Sequence, residues 1–389
     1  MLTSIENENG DFMRLLHTVK EQSARSRDII TPTTDLFFRT VTPSTEAESR
    51  YGYVGENGQV SQIILEASAG APTSIFTLNK VAFEQLGEKN GLDVRTHRRL
   101  QAKYPREHAA LHNAIFIKEA KRQMVRVHLS DEPNYGIARG YLSESFKCFD
   151  NAHVLKALED ALQSDLLGMG YEVMNATITE QRMYLRLRSR MVTGEASKGD
   201  VMAMGMLLSN SECGKGSVLV AFLIWTLACT NGMQTMHKDR QAHLTSARGT
   251  EEARWLSTEA IEQDNKLMAL KTRDLIKAYG TRELFDETLE KMRLAAEDVV
   301  HGTVKEAVNN LGSVLRLTQS DTESVMEGLI STMQQPGFIS KPVSRATLVN
   351  AVTACGNTAD PDKVDEWQRL GGRVLELGKS EWERVALAA

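Results

Sequence analysis

The run RMYLRLRSR, from Arg182 to Arg190, constrains the fold more than any other segment because its side chains alternate in character. One parity is basic with a single aromatic ring: Arg182, Tyr184, Arg186, Arg188 and Arg190. The other parity is apolar from Met183 to Leu187. Successive side chains of a strand point to opposite faces, so the run predicts a strand with one apolar and one basic face.

Four guanidinium groups on one sheet face repel each other unless anions lie opposite them. The phosphates of a nucleic acid would neutralise these arginines, and Tyr184 would stack on a base. The chain's own acidic side chains are the alternative, because residues 251–389 carry 17 basic and 23 acidic residues. The sequence leaves both partners open.

A second basic stretch covers residues 92–128, which hold nine Lys or Arg and three Asp or Glu. Its predicted nucleic-acid contacts are Arg95, Arg98, Arg99, Lys103, Lys121, Arg122 and Arg126. Tyr104 lies among them. Basic side chains interleaved with an aromatic ring suit a groove for single-stranded nucleic acid, although ordinary surface helices also carry such charges.

The length of 389 residues predicts two or three domains. We expect a polar N-terminal arm and linker (1–48), an α+β basic core domain (49–249) and an acidic helical C-terminal domain (250–389). The net charge is −4 over residues 1–91, +5 over 92–250 and −6 over 251–389. A basic middle between acidic ends indicates a centre that binds a polyanion.

The predicted fold class is α+β, with a small mixed or antiparallel sheet core, flanking helices and a helical C-terminal domain. Apolar periodicity predicts helices after Thr77, from His108 to Met124 and after Asp150, and long helices beyond Thr250. The predicted strands are a hairpin within 50–66, then 125–129, 135–142, 171–178, 181–191, 204–209 and 217–223.

No catalytic motif is present, so the sequence predicts a protein that is not an enzyme and needs no cofactor. The conceivable metal ligands are Cys213, Cys229, His237, Asp239 and His243. The two histidines of that set are six residues apart, which matches neither HExxH nor one helix face, so we predict no metal there. The absence of a long apolar run and the polar N-terminal sequence predict a cytoplasmic protein without a membrane partner.

Four segments together resemble a phage- and plasmid-encoded family known only as a domain of unknown function (domain of unknown function 932). They are TLNKVAFEQLGEKNGL from Thr77, ARGYLSESFKCFDNAHVLKAL from Ala138, LLSNSECGKGSVLVAFLIWTLACTNGM from Leu207 and TLVNAVTACG from Thr347. The resemblance covers roughly residues 75 to 380 in matching order. It implies a mobile-element protein, of phage type, with no established catalytic activity.

Our leading hypothesis is a homo-oligomeric phage protein that binds single-stranded DNA or RNA during recombination, replication or transcription, alongside phage or host proteins. A second hypothesis is an interaction module that captures or inhibits a host factor through the acidic C-terminal helices. A third, weaker hypothesis is a metal-dependent hydrolase that uses His237, Asp239 and His243.

Overall fold

A computed structural model describes residues 12–66, 73–164, 166–227, 231–234, 241–244, 258–335 and 337–387. Its helices are α1 (Phe12–Arg25), α2 (Glu46–Tyr51), α3 (Lys80–Lys89), α4 (Val94–Lys103), α5 (Pro105–Lys118), α6 (Asn151–Ser164), α7 (Thr258–Tyr279), α8 (Arg282–Glu297), α9 (Val304–Leu315), α10 (Gln319–Met333), α11 (Arg345–Ala354), α12 (Pro361–Leu375) and α13 (Lys379–Ala386). Its strands are β1 (Ser26–Pro32), β2 (Leu36–Val41), β3 (Val60–Leu65), β4 (Ser74–Leu78), β5 (Arg122–Leu129), β6 (Tyr135–Ser143), β7 (Tyr171–Ile178), β8 (Met183–Ser197), β9 (Asp200–Asn210), β10 (Val218–Thr226), β11 (Asn231–Gln234) and β12 (Gln241–Leu244).

The first six strands form a mixed sheet, the N-terminal sheet, in the order β1-β5-β6-β4-β3-β2. All its neighbours are antiparallel except β4 and β6, which are parallel. Parallel neighbours need a long crossover, and here α3, α4 and α5 supply it together with β5. Aromatic side chains from the strands and these helices form a compact core under this sheet, including Phe38, Phe76, Phe83, Phe116 and Tyr141.

The remaining strands form an antiparallel sheet, the central sheet, in the order β11-β10-β9-β8-β7. The short strand β12 pairs with the start of β10, and β11 pairs with its end. Side chains of β8 alternate as the sequence predicted: Met183, Leu185 and Leu187 all join the larger core. Tyr184 belongs to a smaller apolar cluster with residues such as Leu207 and Trp225.

The larger core joins α1 to the second half of the chain. It contains Leu15 of α1, apolar side chains of α6 and of β7 to β10, and residues of the C-terminal helices as far as Val385. The C-terminal helices therefore complete the core of the central sheet, whereas the N-terminal sheet has a core of its own. The division at residues 48/49 and 249/250 stays a prediction.

The N-terminal segment differs from the prediction of a polar arm and linker. Strand β1 pairs with β5 and β2 pairs with β3, so residues 26–41 form both edges of the N-terminal sheet. Leu36 and Phe38 alternate with exposed or half-buried residues and are themselves buried. Pro32 ends an edge strand, where a missing N–H is tolerated, so this proline does not prevent sheet formation.

The α+β fold class, with mixed and antiparallel sheets followed by helices, is confirmed. Strands β5 to β10 and helices α3 and α6 form close to where the sequence pattern predicts them. The helix predicted over 108–124 ends earlier, at Lys118, and α4 precedes it without having been predicted. Among the described residues, no helix is both long and apolar enough to span a membrane.

Candidate functional site

The arginines of β8 are largely engaged by other side chains. Arg186 is only 4% exposed. Its Nε donates to Oε1 of Gln368 on α12 at 3.3 Å, and its Nη1 donates to Oδ1 of Asn175 on β7, also at 3.3 Å. Burial lowers the pKa of Arg186 to about 10, so the side chain stays charged at neutral pH. It holds the central sheet to α12 and does not reach solvent.

Tyr184 is buried beside Arg186. Two guanidinium groups lie over its ring, those of Arg182 at 5.9 Å and Arg186 at 5.5 Å from the ring centroid. Burial raises the pKa of its hydroxyl, and the negative charge of nearby Asp362 on α12 raises it further. A base cannot stack on a ring that is already enclosed, so Tyr184 and Arg186 are corrected from predicted contacts to internal contacts.

Arg182, one residue before β8, and Arg188 and Arg190 within it also have partners within the protein. Arg182 donates from Nε to Ser209 Oγ and from Nη2 to the Ser217 carbonyl oxygen, both at 2.9 Å. Arg188 and Arg190 both form ion pairs with Glu172 of β7. These two guanidinium groups hold the pKa of the Glu172 carboxyl below its usual range. Of the set, Arg190 is the most exposed, at 71% of its side chain.

The internal partner is thus mainly a neighbouring strand, β7, together with the start of α12. Asp362 and Asp365 come from the acidic C-terminal third, and both act on Tyr184. Glu172, which neutralises two arginines, comes from the basic middle segment. The sequence left the choice between phosphate and internal acids open, and in this structure internal groups contact every β8 arginine.

Helix α4 carries a different kind of basic surface. Arg95, Arg99 and Lys103 are spaced at i, i+4 and i+8, lie on one face of the helix and are exposed. Arg106, in the first turn of α5, is exposed as well. None of these four side chains forms an ion pair with a carboxylate of the described residues. Tyr104, between the two helices, is 49% exposed.

The remaining predicted contacts of the second basic stretch divide between surface and interior. Arg98 pairs with Glu84 and lies over the Tyr53 ring at 5.7 Å. Lys121 donates to the Lys89 carbonyl oxygen at 3.0 Å, and exposed Arg122 pairs with Glu144 at 3.2 Å. Arg126 is 1% exposed and pairs with Asp150 and, at 3.7 Å, with Asp28. This burial corrects the prediction that Arg126 contacts nucleic acid.

A buried charged network joins the two sheets. Arg139 of β6 donates from Nη1 to Glu212 Oε2 at 2.8 Å and contacts His128 Nε2 at 2.9 Å. The other Glu212 oxygen accepts from the Asn151 backbone N–H at the start of α6, at 2.8 Å. Asn210 adds a bond from its amide to the Phe149 carbonyl oxygen at 2.8 Å.

These residues come from the segments ARGYL, CFDNA and SNSEC, which carry the family resemblance. Their contacts give them a structural role as a polar tether between the N-terminal sheet and the central sheet. The Asn210, Ser211 and Glu212 side chains of this last segment each bond to other parts of the chain.

A cleft of about 570 Å³ opens beside this network. Its wall includes Lys80 at the start of α3, Arg139, Glu180 in the β7–β8 turn and Asp362. Burial raises the pKa of Glu180, whose carboxylate accepts from the Lys80 backbone N–H at 3.2 Å. Of the charged groups in this wall, Arg139 pairs with Glu212 and Glu180 accepts from backbone.

Within the described part of the chain, one cluster of potential metal ligands lies in the N-terminal core. His97 of α4 and His108 and His112 of α5 are each 0% exposed. His112 Nε2 lies 3.1 Å from His97 Nε2 and 2.9 Å from His108 Nε2. Burial lowers the pKa values of His97, His108 and His112 to about 3, 4 and 2, so the rings are neutral at pH 7.

Local packing fixes the orientation of these rings. The His97 ring stacks on Phe83 with centroids 3.9 Å apart and planes 6° apart. A Cβ on Gly87 would lie 2.2 Å from His97 Nδ1, so this glycine is needed for the ring's position. The Asn90 amide contacts His112 Nδ1 at 2.8 Å.

Sequence reasoning missed this cluster, although His108 and His112 are four residues apart in a predicted helix. That spacing places two imidazoles on one helix face. Of the ligands considered instead, Cys229, His237 and Asp239 lie outside the described residues, as does the side chain of His243. Cys213 is buried, and its thiol donates to the Glu180 carbonyl oxygen at 3.7 Å.

Comparison of the chain with protein-family profiles, with curated proteins and with solved structures found no match in any of the three. The resemblance drawn from the four sequence segments therefore stays an expectation. The functional proposal depends on the chain's own residues.

Proposed function

We propose that this protein binds single-stranded nucleic acid through the α4 surface, defined by Arg95, Arg99, Lys103, Tyr104 and Arg106. The observation that carries the proposal is that four exposed cations without a described acidic partner flank an exposed aromatic ring. An unpaired cation keeps its full attraction for phosphate, whereas an ion-paired arginine has to break a contact first. The role is non-catalytic.

The spacing along α4 supports a strand-like ligand. Residues at i, i+4 and i+8 of a helix are each about 6 Å apart along the axis, since the rise is about 1.5 Å per residue. Consecutive phosphates of an extended single strand are separated by a comparable distance, so Arg95, Arg99 and Lys103 can follow successive phosphates. Tyr104 lies at the C-terminal end of this row, where stacking on one base favours an unpaired strand over a duplex.

The family resemblance adds a setting to this proposal. A phage-type protein with such a surface would act on single strands during recombination, replication or transcription in the cytoplasm of its host. It would act as a homo-oligomer, because several copies of one short surface track a long strand.

Binding of a fluorescent 30-nucleotide single strand, followed by anisotropy at rising salt, tests the proposal. We expect the triple variant Arg95→Ala, Arg99→Ala, Lys103→Ala to bind with a weaker salt dependence. The slope of log K against log salt should become shallower by about 2, because each lost phosphate contact reduces it by roughly 0.7. At 50 mM salt the affinity should fall by about 100-fold or more for the same reason. Tyr104→Ala should weaken binding while leaving the slope unchanged, because stacking releases no counterions.

The matched control removes three exposed lysines from the C-terminal helices: Lys305→Ala, Lys363→Ala, Lys379→Ala. It changes the net charge by the same amount and should leave the affinity and slope nearly unchanged. A second comparison, Arg188→Ala with Arg190→Ala, tests the β8 strand, which should contribute little. Absence of binding by the wild type at low salt would refute the function. Equal losses in the α4 and lysine variants would refute the α4 assignment.

A further inference from the structure

The three buried histidines form an arrangement that hydrogen bonding alone does not satisfy. A neutral imidazole nitrogen carries either one proton or one lone pair in the ring plane, and so makes one in-plane hydrogen bond. His112 Nε2 has two ring nitrogens near it, at 3.1 and 2.9 Å. At most one of these contacts is a well-directed hydrogen bond, and the other is at best a bent contact that shares the same proton or lone pair.

The outer ring nitrogens do not relieve this conflict. Nδ1 of His97 and Nδ1 of His108 are buried and have no hydrogen-bond partner among the described residues. A buried polar atom without a partner destabilises the folded state by about 1–3 kcal/mol. A ligand at the Nε2 atoms would not change these two nitrogens; what it would relieve is the crowding of the Nε2 atoms around His112.

A single cation at the convergence point would receive all three Nε2 lone pairs. Zinc binds imidazole nitrogen at about 2.0–2.1 Å, which in tetrahedral geometry separates two ligand nitrogens by roughly 3.3 Å. The observed separations of 2.9 and 3.1 Å are a few tenths of an ångström shorter. Each of the three rings offers a ligand nitrogen within 4.8 Å of the other two.

The spacing of the histidines and the residue that contacts the far side of the His112 ring both suit a bound metal ion. His108 and His112 are spaced as HxxxH on α5, and His97 comes from the adjacent helix α4. Asn90 lies 2.8 Å from His112 Nδ1, and its Oδ1 has no other partner. A half-turn of the Asn90 amide makes Oδ1 the acceptor of the Nδ1 proton. That bond fixes the tautomer in which Nε2 faces the ion.

We propose that His97, His108 and His112 bind one first-row transition-metal ion of the zinc class. Three imidazole ligands match the preference of zinc and its neighbours for nitrogen donors. All three rings are fully buried, so the ion has no path to a substrate and stabilises the packing of α3, α4 and α5. The site is thus structural and is distinct from the α4 surface, although His97 and Arg95 share one helix.

Metal titration of the full chain, purified without a metal-affinity tag and stripped with chelator, tests this proposal. We expect one equivalent of Zn²⁺ by calorimetry, and a rise in Tm on adding it. Co²⁺ should give visible absorption bands that are absent from the metal-free protein, which report its coordination by the imidazole nitrogens. His108→Gln with His112→Gln should abolish both signals, and His153→Gln, a histidine outside the cluster, should leave them unchanged.

Asn90→Ala provides a variant that keeps all three ligands. We expect it to weaken Zn²⁺ binding by about 10- to 100-fold, as observed when a second-layer partner is lost. If the double histidine variant fails to fold, the single variants His97→Gln and Asn90→Ala test whether these residues form the metal site. Failure of the folded wild type to bind Zn²⁺ or Co²⁺ stoichiometrically would overturn the proposal and leave a histidine cluster only. Equal binding by His97→Gln would overturn it too.

Discussion

The buried pair between Arg139 and Glu212 predicts that a neutral replacement of the acid strongly destabilises the protein. In Glu212→Gln the carbonyl oxygen can still accept from the Asn151 N–H, but the guanidinium, 2.8 Å away in the wild type, loses its counter-charge. Two unit charges about 4 Å apart attract by about 4 kcal/mol at an effective dielectric constant near 20. Removing one partner of a buried pair typically destabilises by about 3–5 kcal/mol, so we expect a loss of that size.

Urea unfolding followed by circular dichroism measures this loss as a difference in free energy of unfolding. The double variant Arg139→Met, Glu212→Gln removes both charges and keeps the acceptor for Asn151. It should recover about 2 kcal/mol or more relative to Glu212→Gln, because no uncompensated charge remains buried. A loss below about 1 kcal/mol for Glu212→Gln, or a double variant less stable than the single one, would refute the reasoning.

Two further predictions concern the interior. Burial, and after it the charge of Arg139, lowers the pKa of His128 to about 2 in the folded protein. In the unfolded chain the pKa is about 6.5, so below pH 6.5 protonation of His128 favours the unfolded state. Between pH 7 and pH 5 this histidine should lower the free energy of unfolding by about 2 kcal/mol. In urea unfolding, the drop in stability of His128→Gln over the same pH range should therefore be about 2 kcal/mol smaller than that of the wild type. In Gly205→Ala the new Cβ would lie 2.2 Å from Trp225 Nε1, so we expect a destabilisation of about 1–3 kcal/mol and altered tryptophan fluorescence. Gly168→Ala, where a Cβ meets nothing within 4 Å, is the control and should stay within about 0.5 kcal/mol of the wild type.

The fold could be predicted where periodicity was strong. Strand Val218–Thr226 is a continuous apolar run that is buried throughout, and helix Asn151–Ser164 follows a 3.6-residue pattern closely. The N-terminal strands were missed because Pro32, Pro43 and the nearby Ser and Thr residues are typical of loops. Pairing with β5 and β3 overrides these local preferences, and pairing between distant segments cannot be derived from local pattern.

The sequence correctly predicted the alternation of side chains along β8. Which groups its basic face contacts, however, depends on the elements that pack against that face. Arg186 and Tyr184 are buried because Gln368 and Asp362, nearly 180 residues later, pack against that face. No feature of the run itself shows which neighbour covers it. The histidine cluster was partly visible in the sequence, because the HxxxH spacing of His108 and His112 places both on one face of a helix. Only the tertiary structure shows that His97 joins them.

The core that includes both Leu15 of α1 and Val385 of α13 also constrains how the chain is made. On the ribosome, β7 to β10 emerge after α1 and α6, which join the same core, but before the C-terminal helices that complete it. The core of this sheet is therefore completed only when α7 to α13 have emerged, and until then part of its apolar surface stays uncovered and can bind a chaperone. The N-terminal sheet, whose core closes with Tyr141, can form earlier in translation.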